Sequence, residues 1–318
     1  MSALPLAFLF PGQGSQTIGM GKELADRYSV ARQTFAEADN ALGYSLSQLC
    51  FDGPEDKLKL TEITQPAILT VSVALQLVLA EKDIRPQYVA GHSLGEYSAH
   101  VAAGTLEFAD AVRTVAKRGK YMQEAVPVGV GAMAAILGLG LEPLAAACHR
   151  AAQDTGGTVS PANINSPDQI VISGSKAAVE RAAELAKEKG AKRAVMLPVS
   201  APFHCSLMQR AQDRLATDLK ALKFSTPRVP VVTNIDAKAI QDAEQARDAL
   251  VRQVTGAVQW VRSIQALVDA GVQTFVEVGP GKVLTGLLRQ IDRSKTGLNV
   301  ENEESLQKTL TTLLALPA

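Results

Sequence analysis

The sequence is poor in the residues that build disulfide scaffolds, metal sites and charged binding surfaces. Its three cysteines, Cys50, Cys148 and Cys205, lie far apart and form no CxxC pair. This spacing argues against a disulfide framework or a zinc site and fits a reducing compartment, so we expect a cytoplasmic protein. Lysine plus arginine and aspartate plus glutamate each number 32 among 318 residues. This balance gives no overall attraction to nucleic acid, so we expect no nucleic-acid partner.

Long apolar runs are also missing. No segment approaches the ~20 apolar residues that span a bilayer, so we expect no membrane partner. The apolar stretch from Leu4 to Phe10 is too short for a signal sequence and is ended by Pro11 and Gly12. Hydrophobic residues nevertheless make up 47% of the chain, which is enough for a sizeable core in one large domain or two modest ones.

The most informative stretch reads Gly91-His-Ser-Leu-Gly95. It follows a short apolar strand predicted over residues 87–90 and precedes a helix predicted to begin near Leu94. A G-x-S-x-G segment between a strand and a helix is typical of a nucleophile elbow, a strained turn that exposes its serine. The glycines let the strand and helix close tightly, and the helix N-terminus can stabilise negative charge beside the serine. The pattern predicts that Ser93 is a catalytic nucleophile.

Histidine is scarce too, and this narrows the choice of a base for Ser93. Of the four histidines, His92 adjoins the serine and should point to the opposite side. His100 lies two turns into the following helix, and His149 sits in an alanine-rich helix. His204 remains, at a predicted junction between two domains, where small-molecule sites tend to form. Elimination therefore predicts His204 as the general base.

No acidic residue between Ser93 and His204 stands out as the third member of a catalytic triad. Asp168 is a formal candidate, but it falls in a predicted hairpin turn. The alternative is that a backbone or amide carbonyl orients the imidazole of His204.

Arg118 is notable in a helix predicted over residues 107–124. Apolar side chains share one face of that helix, and Arg118 falls at the edge of this face. One interpretation is a side chain that snorkels to water. The other is a partly buried guanidinium that holds a carboxylate with two hydrogen bonds. The apolar face comprises Phe108, Ala111, Val112, Val115 and Met122.

The order of the predicted elements indicates an α/β fold with an interruption. Strands and helices alternate up to residue 126 and again from residue 199, which predicts a parallel sheet covered by helices. Residues 127–198 instead predict the order β-α-β-β-α-β, which is that of a ferredoxin-like unit. We therefore expect a discontinuous large domain, residues 1–126 and 199–318, with residues 127–198 as an inserted small domain. A long helix is expected over residues 65–82 with Pro66 in its first turn.

Nine short segments, in this order, carry a resemblance to a known family. They are FPGQGSQ at 10–16, TQPA at 64–67, GHSLGEY at 91–97, RGKYMQ at 118–123, GAM at 131–133, NINSP at 163–167, residues 198–204, VRQ at 251–253 and EVGPG at 277–281. The set resembles the malonyl-CoA:acyl carrier protein transacylases of fatty acid and polyketide synthesis, in their stand-alone bacterial form. The fold that this resemblance implies is an α/β-hydrolase-like large domain carrying a ferredoxin-like insert.

The resemblance implies catalytic roles residue by residue. Ser93 would take the malonyl group as an ester. His204 would act first as general base and then as the acid for the leaving thiol. Gln253 would orient His204 through its main-chain carbonyl. The main-chain N–H groups of Gln13 and Leu94 would form the oxyanion hole.

The resemblance also implies the residues that choose the substrate. Arg118 would bind the free carboxylate of malonate and so reject acetyl groups. Phe203 stands where many bacterial relatives carry serine, and a phenylalanine there accompanies malonyl rather than methylmalonyl choice in similar polyketide acyltransferase domains. We also predict that Met122, one turn beyond Arg118, contributes to the substrate site.

The implied activity is ping-pong acyl transfer, with malonyl-CoA and an acyl carrier protein as partners. We expect no cofactor and no metal, because the substrates themselves carry coenzyme A or phosphopantetheine, and we expect a monomer. Two alternatives stay open. A serine esterase or thioesterase would share the elbow and the base but would give Arg118 no role. A non-catalytic carrier-binding subunit would leave the pair of Ser93 and His204 without a purpose.

Overall fold

The computed structural model describes residues 5–199 and 201–315. Within these residues the strands are β1 (Leu6–Phe10), β2 (Tyr88–Gly91), β3 (Gly131–Leu137), β4 (Val159–Ser166), β5 (Gln169–Ser175), β6 (Arg193–Met196), β7 (Val231–Val232), β8 (Ala239–Ile240), β9 (Thr274–Val278) and β10 (Thr296–Val300). The helices are α1 (Lys22–Arg27), α2 (Ser29–Leu42), α3 (Leu46–Asp52), α4 (Glu55–Leu58), α5 (Thr61–Glu81), α6 (Gly95–Ala102), α7 (Phe108–Glu124), α8 (Leu141–Thr155), α9 (Lys176–Glu188), α10 (Gln209–Ala221), α11 (Ala243–Arg252), α12 (Trp260–Asp269), α13 (Val283–Ile291) and α14 (Glu303–Ala315).

A six-stranded sheet in the order β10-β9-β1-β2-β7-β8 organises most of the chain. All its strand pairs are parallel except the pair of β7 with the edge strand β8. The central strand β1 is apolar throughout and almost wholly buried, as expected for a strand covered by helices on both faces. Its last residue, Phe10, is in register with Gly91, the last residue of β2. The loops after β1, β2 and β7 therefore leave the sheet at the same edge, where α/β proteins build their sites.

The helix α5 lies in the core against this sheet. Fifteen of its 21 residues are buried, and its apolar side chains join the largest core cluster, together with Phe8, Phe10 and Val89. By length and composition α5 alone among the described helices could cross a membrane, and 78% of its most apolar window is buried inside the protein. The sequence analysis had expected no segment of this kind. The burial shows why α5 is so apolar, since it is in contact with other helices and the sheet on all sides.

A second sheet of four strands, in the order β4-β5-β3-β6, is antiparallel throughout. In chain order this is 2-3-1-4, the order that a ferredoxin-like unit requires, with α8 and α9 as its two helices. The helices bury a separate apolar core against the sheet. A short bridge between Asn163 and Val258 joins this sheet to the rest of the chain. The mixed α/β class with a parallel-rich sheet is thus confirmed, and the division at residues 127 and 198 stays a prediction.

Several predicted elements are confirmed within one to three residues, including the strand before Ser93, α7 and the six elements of the second sheet. The first-turn position of Pro66 was wrong, because α5 begins at Thr61 and Pro66 lies in its second turn. The sequence analysis did not predict β8, β10 or α14. The strand β10 lacks a strong apolar pattern because it is an edge strand that is mostly half-buried. Residue 4 of the predicted apolar stretch lies outside the described residues.

Candidate active site

Ser93 stands at the turn between β2 and α6, as the elbow pattern predicted. Its backbone φ is 52°, a left-handed conformation that is rare for a residue with a side chain and is typical of strained functional turns. The two glycines are needed because the chain segments touch. A Cβ on Gly91 would collide with the main chain of Gly95, and a Cβ on Gly95 would collide with the carbonyl oxygen of Phe10.

His204 lies beside the serine, although 111 residues separate them in the sequence. Its Nε2 is 2.7 Å from the Oγ of Ser93, and its Nδ1 is 2.9 Å from the main-chain oxygen of Gln253. A carbonyl oxygen can only accept a hydrogen bond, so Nδ1 carries the proton and Nε2 is free to accept from the serine hydroxyl. This is the tautomer that a general base requires.

The electrostatic surroundings keep the imidazole of His204 neutral. Burial and the nearby guanidinium of Arg118 lower its pKa to about 3. Gln253 follows the last residue of α11 as its C-cap, where carbonyl groups have no partner within the helix and carry partial negative charge. Its carbonyl can therefore stabilise the imidazolium that forms when His204 takes a proton, which is the task of the acid in a conventional triad.

Arg118 points into the site from α7 and is only 1% exposed. The snorkelling interpretation is therefore wrong, because the side chain turns into the core rather than toward water. Its Nη1 donates to Oε1 of Gln65 over 2.8 Å. Its Nη2 donates to Oε1 of Gln253 over 2.9 Å and to the Oγ of Ser93 over 3.1 Å. Burial lowers the pKa of Arg118, but an arginine stays charged in proteins.

The charge of Arg118 has no direct carboxylate partner. Among the residues that the structure describes, no carboxylate oxygen lies within ion-pair distance of its guanidinium. Every group to which it donates is a neutral amide or hydroxyl oxygen. Buried charges in proteins are usually paired, so a guanidinium without an ion-pair partner can bind an anionic group.

Two amide side chains hold the main chain of the elbow. Asn234 accepts from the N–H of Ser93 through Oδ1 over 2.6 Å and donates through Nδ2 to the carbonyl oxygen of Gly91 over 2.6 Å. Gln253 donates through Nε2 to the carbonyl oxygen of Ser93 over 2.9 Å. The side chain of Gln253 and the main-chain N–H of Asn234 also donate to the buried carboxyl group of Glu96.

The sequence analysis missed Gln65, Glu96 and Asn234. Gln65 and Glu96 lie inside segments that it quoted, TQPA and GHSLGEY, but it assigned them no role. Asn234 follows β7, which is parallel to β2, so that both strands end at the same edge of the sheet. That topology is the signal for Asn234, and it becomes visible only when the strand order is known.

The remaining predicted site residues surround this centre. Leu94 follows the serine directly at the start of α6. Gln13 lies in the loop after β1, where a Cβ on its neighbour Gly12 would meet the carbonyl oxygen of His92 at 2.6 Å. Phe203 is half-buried between two apolar clusters. Met122 is buried with its Sδ 4.0 Å from Nε2 of Gln65, so it contacts the group that holds Arg118 rather than Ser93.

The three histidines set aside by elimination lie elsewhere. His92 is held by Asn165, with 2.8 Å between Nε2 and Oδ1. His100 is fully buried in α6, and His149 is exposed on α8. Asp168 is exposed in the turn between β4 and β5 and does not approach His204. In the described ranges, no group of three or more His, Cys, Asp or Glu side chains is arranged to hold a metal ion.

Comparisons with known proteins agree over almost the whole chain. The family profile described as acyl transferase domain matches residues 7–310. The malonyl CoA-acyl carrier protein transacylase of Salmonella typhimurium is 52% identical over 306 residues, which are 96% of this chain and 98% of that protein.

Solved structures give the same result. An acyl carrier protein S-malonyltransferase from Vibrio cholerae is 49% identical with a TM-score of 0.94, covering 96% of this chain and 99% of that one. A structure of a type II PKS acyl-carrier protein in complex with its malonyl-transacylase matches at 48% identity with a TM-score of 0.94, covering 97% of this chain and 99% of that one.

Proposed function

Because this chain belongs to the acyl transferase domain family and is similar along nearly its full length to malonyl CoA-acyl carrier protein transacylases, we propose that it moves malonyl groups from malonyl-CoA to an acyl carrier protein. The malonyl group travels as an ester on Ser93. The reaction serves fatty acid or polyketide biosynthesis, as the names of the similar proteins suggest.

The observation that carries this proposal is the buried guanidinium of Arg118, 3.1 Å from the nucleophilic oxygen of Ser93. An esterase for neutral acyl groups gains nothing from a charge there. A malonyl group on Ser93 carries a free carboxylate two carbons from the ester carbonyl, and the planar guanidinium can bind it with two hydrogen bonds.

The first half-reaction loads the serine. The proton of the Ser93 hydroxyl moves to Nε2 of His204 as the serine oxygen forms a bond to the thioester carbonyl carbon. The main-chain N–H groups of Gln13 and Leu94 stabilise the oxyanion, where the loss of one donor typically costs ~10²–10³ in rate. The carbon–sulfur bond then breaks, and the coenzyme A sulfur takes the proton from His204.

The second half-reaction runs the same steps with a different thiol. The phosphopantetheine thiol of the carrier gives its proton to His204, and its sulfur attacks the ester carbonyl. The bond to the Ser93 oxygen breaks, and that oxygen recovers the proton. Water must not compete in this step, and Arg118 contributes by fixing the acyl chain so that the thiol is the better-placed attacker.

Arg118 also connects recognition of malonate with activation of the base. Its positive charge is a cause of the low pKa of His204, second to burial. A carboxylate bound to Arg118 offsets this charge and raises the pKa of His204 toward the range in which it accepts a proton readily. An acetyl group has no carboxylate and leaves the base weak.

The other parts of the proposal concern the surroundings of this chemistry. The ring of Phe203, next to His204, crowds an α-methyl branch, and Met122 supports Arg118 through Gln65.

The separate apolar cores support a catalytic domain of residues 1–126 and 199–318 with a ferredoxin-like insert at 127–198. We propose no cofactor and a cytoplasmic monomer, and the three free, buried cysteines support a reducing compartment.

The test is intact-protein mass spectrometry after incubation with acyl-CoAs. Wild-type protein with malonyl-CoA should gain one malonyl group, and Ser93→Ala should gain none, because the variant loses the hydroxyl that is hydrogen-bonded to the base His204. Methylmalonyl-CoA should acylate the wild type more slowly than malonyl-CoA, because of Phe203.

Addition of phosphopantetheinylated carrier protein distinguishes a transferase from a thioesterase or a non-catalytic subunit. The malonyl group should leave Ser93 and appear on the carrier. Free malonate released as fast without carrier as with it would instead identify a thioesterase. A wild-type protein that forms no adduct would contradict the proposed function.

A further inference from the structure

A buried carboxyl group lies behind the catalytic residues. Glu96, in the first turn of α6, is 0% exposed. Its Oε2 accepts from the main-chain N–H of Asn234 over 2.9 Å and from Nε2 of Gln253 over 2.8 Å. Its Oε1 has no hydrogen-bond partner among the described residues. Nε2 of His100, one turn along the same helix, lies 3.9 Å from Oε1, but burial lowers the pKa of His100 and keeps its imidazole neutral. Burial of a carboxyl group is costly, so its retention calls for a reason.

The two groups that Glu96 holds are the two that hold the elbow. Asn234 bonds the N–H of Ser93 and the carbonyl of Gly91. Gln253 bonds the carbonyl of Ser93 through its side chain and Nδ1 of His204 through its main chain. A single oxygen of Glu96 thus accepts hydrogen bonds from both residues that position the nucleophile Ser93 and the base His204.

Glu96 also fixes which way the amide of Gln253 faces. Oε2 of Glu96 acts as an acceptor for Asn234 and Gln253, so the NH₂ group of Gln253 faces Glu96 and its oxygen faces Arg118. With the amide reversed, its NH₂ group would face the guanidinium, and both groups would be donors. The orientation of Arg118 toward Ser93 therefore depends on an acceptor at Glu96.

We propose that Glu96 is the acid of this site, and that it acts at one remove: it positions Gln253 and Asn234, which in turn align His204, Arg118 and the Ser93 elbow. The inference rests on the proposed function and assigns Glu96 a positioning role, since it does not touch the reacting atoms. It also accounts for the missing acid of the triad. The main-chain carbonyl of Gln253, a residue whose side chain is anchored by Glu96, replaces the direct Asp–His contact.

The test compares two substitutions of similar volume, Glu96→Gln and Glu96→Met. The glutamine keeps an oxygen acceptor for Asn234 and Gln253, whereas the methionine fills the space without one. We expect E96Q to form the malonyl ester on Ser93 at nearly the wild-type rate. E96M should acylate ~10²-fold more slowly at saturating malonyl-CoA, as expected when reacting groups are misaligned. Its KM for malonyl-CoA should also rise, because Arg118 loses the oriented amide of Gln253 that holds it.

A second readout makes the test independent of the substrate. Phenylmethylsulfonyl fluoride sulfonylates an activated serine without needing a carboxylate, so its rate reports the alignment of Ser93 with His204 alone. We expect the same order of rates, wild type and E96Q above E96M. A wild type that reacts with the sulfonyl fluoride but not with malonyl-CoA would contradict the proposed function and still test the role of Glu96.

The matched control is Ser98→Ala on the same helix, since Ser98 is buried and its hydroxyl has no partner among the described residues. It should react as the wild type does. If E96M fails to fold, Glu96→Asp replaces it, because the shorter side chain withdraws the acceptor oxygen and should also slow both reactions. A folded E96M or E96D with wild-type rates, or an E96Q as slow as E96M, would overturn the inference.

Discussion

At the scale of single residues, Arg118 illustrates how a side chain can be costly for folding and necessary for function. Its guanidinium is buried, and it donates to amide oxygens of Gln65 and Gln253 and to the hydroxyl oxygen of Ser93. Neutral acceptors satisfy the geometry of the N–H groups but do not offset the charge. Among the described residues the guanidinium has no ion-pair partner, and the carboxyl group of Glu96 favours its charge only from a greater distance. Under the proposed function, the carboxylate of malonate supplies the direct partner.

Arg118→Ala should shift the substrate preference. We expect kcat/KM for malonyl-CoA to fall by about 3 kcal/mol of transition-state stabilisation, ~10²-fold, because two hydrogen bonds to a charged carboxylate are lost. Acetyl-CoA should lose much less, so the ratio of acetyl to malonyl transfer should rise. The measurement is the rate of Ser93 acylation with each acyl-CoA.

The control for this prediction is Arg113→Ala on the exposed face of the same helix. Arg113 is exposed and forms an ion pair with Asp110 rather than a bond to Ser93. Its replacement should leave both acylation rates unchanged. An acetyl-to-malonyl ratio in Arg118→Ala that equals the wild-type ratio would refute the selector role.

At the scale of secondary structure, the junction of β2 and α6 shows how an element boundary can create a site. The strand ends in register with β1, and the helix begins against the carbonyl oxygen of Phe10. This closeness leaves Ser93 no conformation but the left-handed one, at φ 52°. The contacts of Asn234 and Gln253 hold it there, so the strain is supported by packing around the turn rather than by the turn itself.

Gly95→Ala should destabilise the protein because the new Cβ would overlap the carbonyl oxygen of Phe10, and neither main chain can move without separating β1 from α6. We expect a loss of about 3 kcal/mol in the free energy of unfolding, together with a loss of Ser93 acylation. Denaturant unfolding followed by circular dichroism measures the first quantity.

Gly286→Ala is the matched control, since Gly286 lies inside α13 with open space where a Cβ would be. Alanine has a higher helix propensity than glycine, so the free energy of unfolding of this variant should rise by ~0.8–1 kcal/mol. Equal stability of Gly95→Ala and the wild type would contradict the close contact between strand, turn and helix.

At the scale of the whole molecule, burial of ionisable groups couples folding to pH. Burial lowers the pKa of His100 and of His204 to about 3 and raises the pKa of Glu96 to about 7. The unfolded chain binds protons at both histidines below about pH 6.5 whereas the folded protein does not, so acidification destabilises the fold. Glu96 acts in the opposite direction, because between about pH 4.5 and pH 7 the folded state holds a proton that the unfolded state releases.

His100→Leu should reduce the dependence of stability on pH. A histidine kept neutral in the fold lowers the free energy of unfolding by about 2 kcal/mol between about pH 7.5 and pH 5, and this variant removes one such group. Thermal unfolding at the two pH values should show a smaller drop in Tm than in the wild type.

His149→Gln serves as the control because His149 is exposed on α8. It should retain the wild-type change in Tm between the two pH values. A His100→Leu variant with an unchanged drop would mean that His100 accepts a proton in the folded protein.

Short-range patterns in the sequence account for the local features of this protein. The apolar runs, the glycines around Ser93 and the β-α-β-β-α-β order are written in short-range patterns, so the elbow, most elements and the α/β class could be predicted. Because the sequence has only four histidines, elimination was enough to predict His204 as the general base. By contrast, β10 and α14 were missed because their stability comes from packing at the sheet edge rather than from a local pattern.

The contacts between residues that are distant in the sequence became visible only in the fold. Pattern alone left Arg118 between a snorkelling and a buried state, and the fold resolved this by turning it toward Ser93 between α5 and the end of α11. Asn234 and Glu96 became site residues because β7 lies beside β2 and because a carboxyl group buried in α6 accepts from the main chain of Asn234 and the side chain of Gln253. The physical reason is that hydrogen bonds between residues more than a hundred positions apart depend on strand order and helix packing, which short-range sequence patterns do not encode.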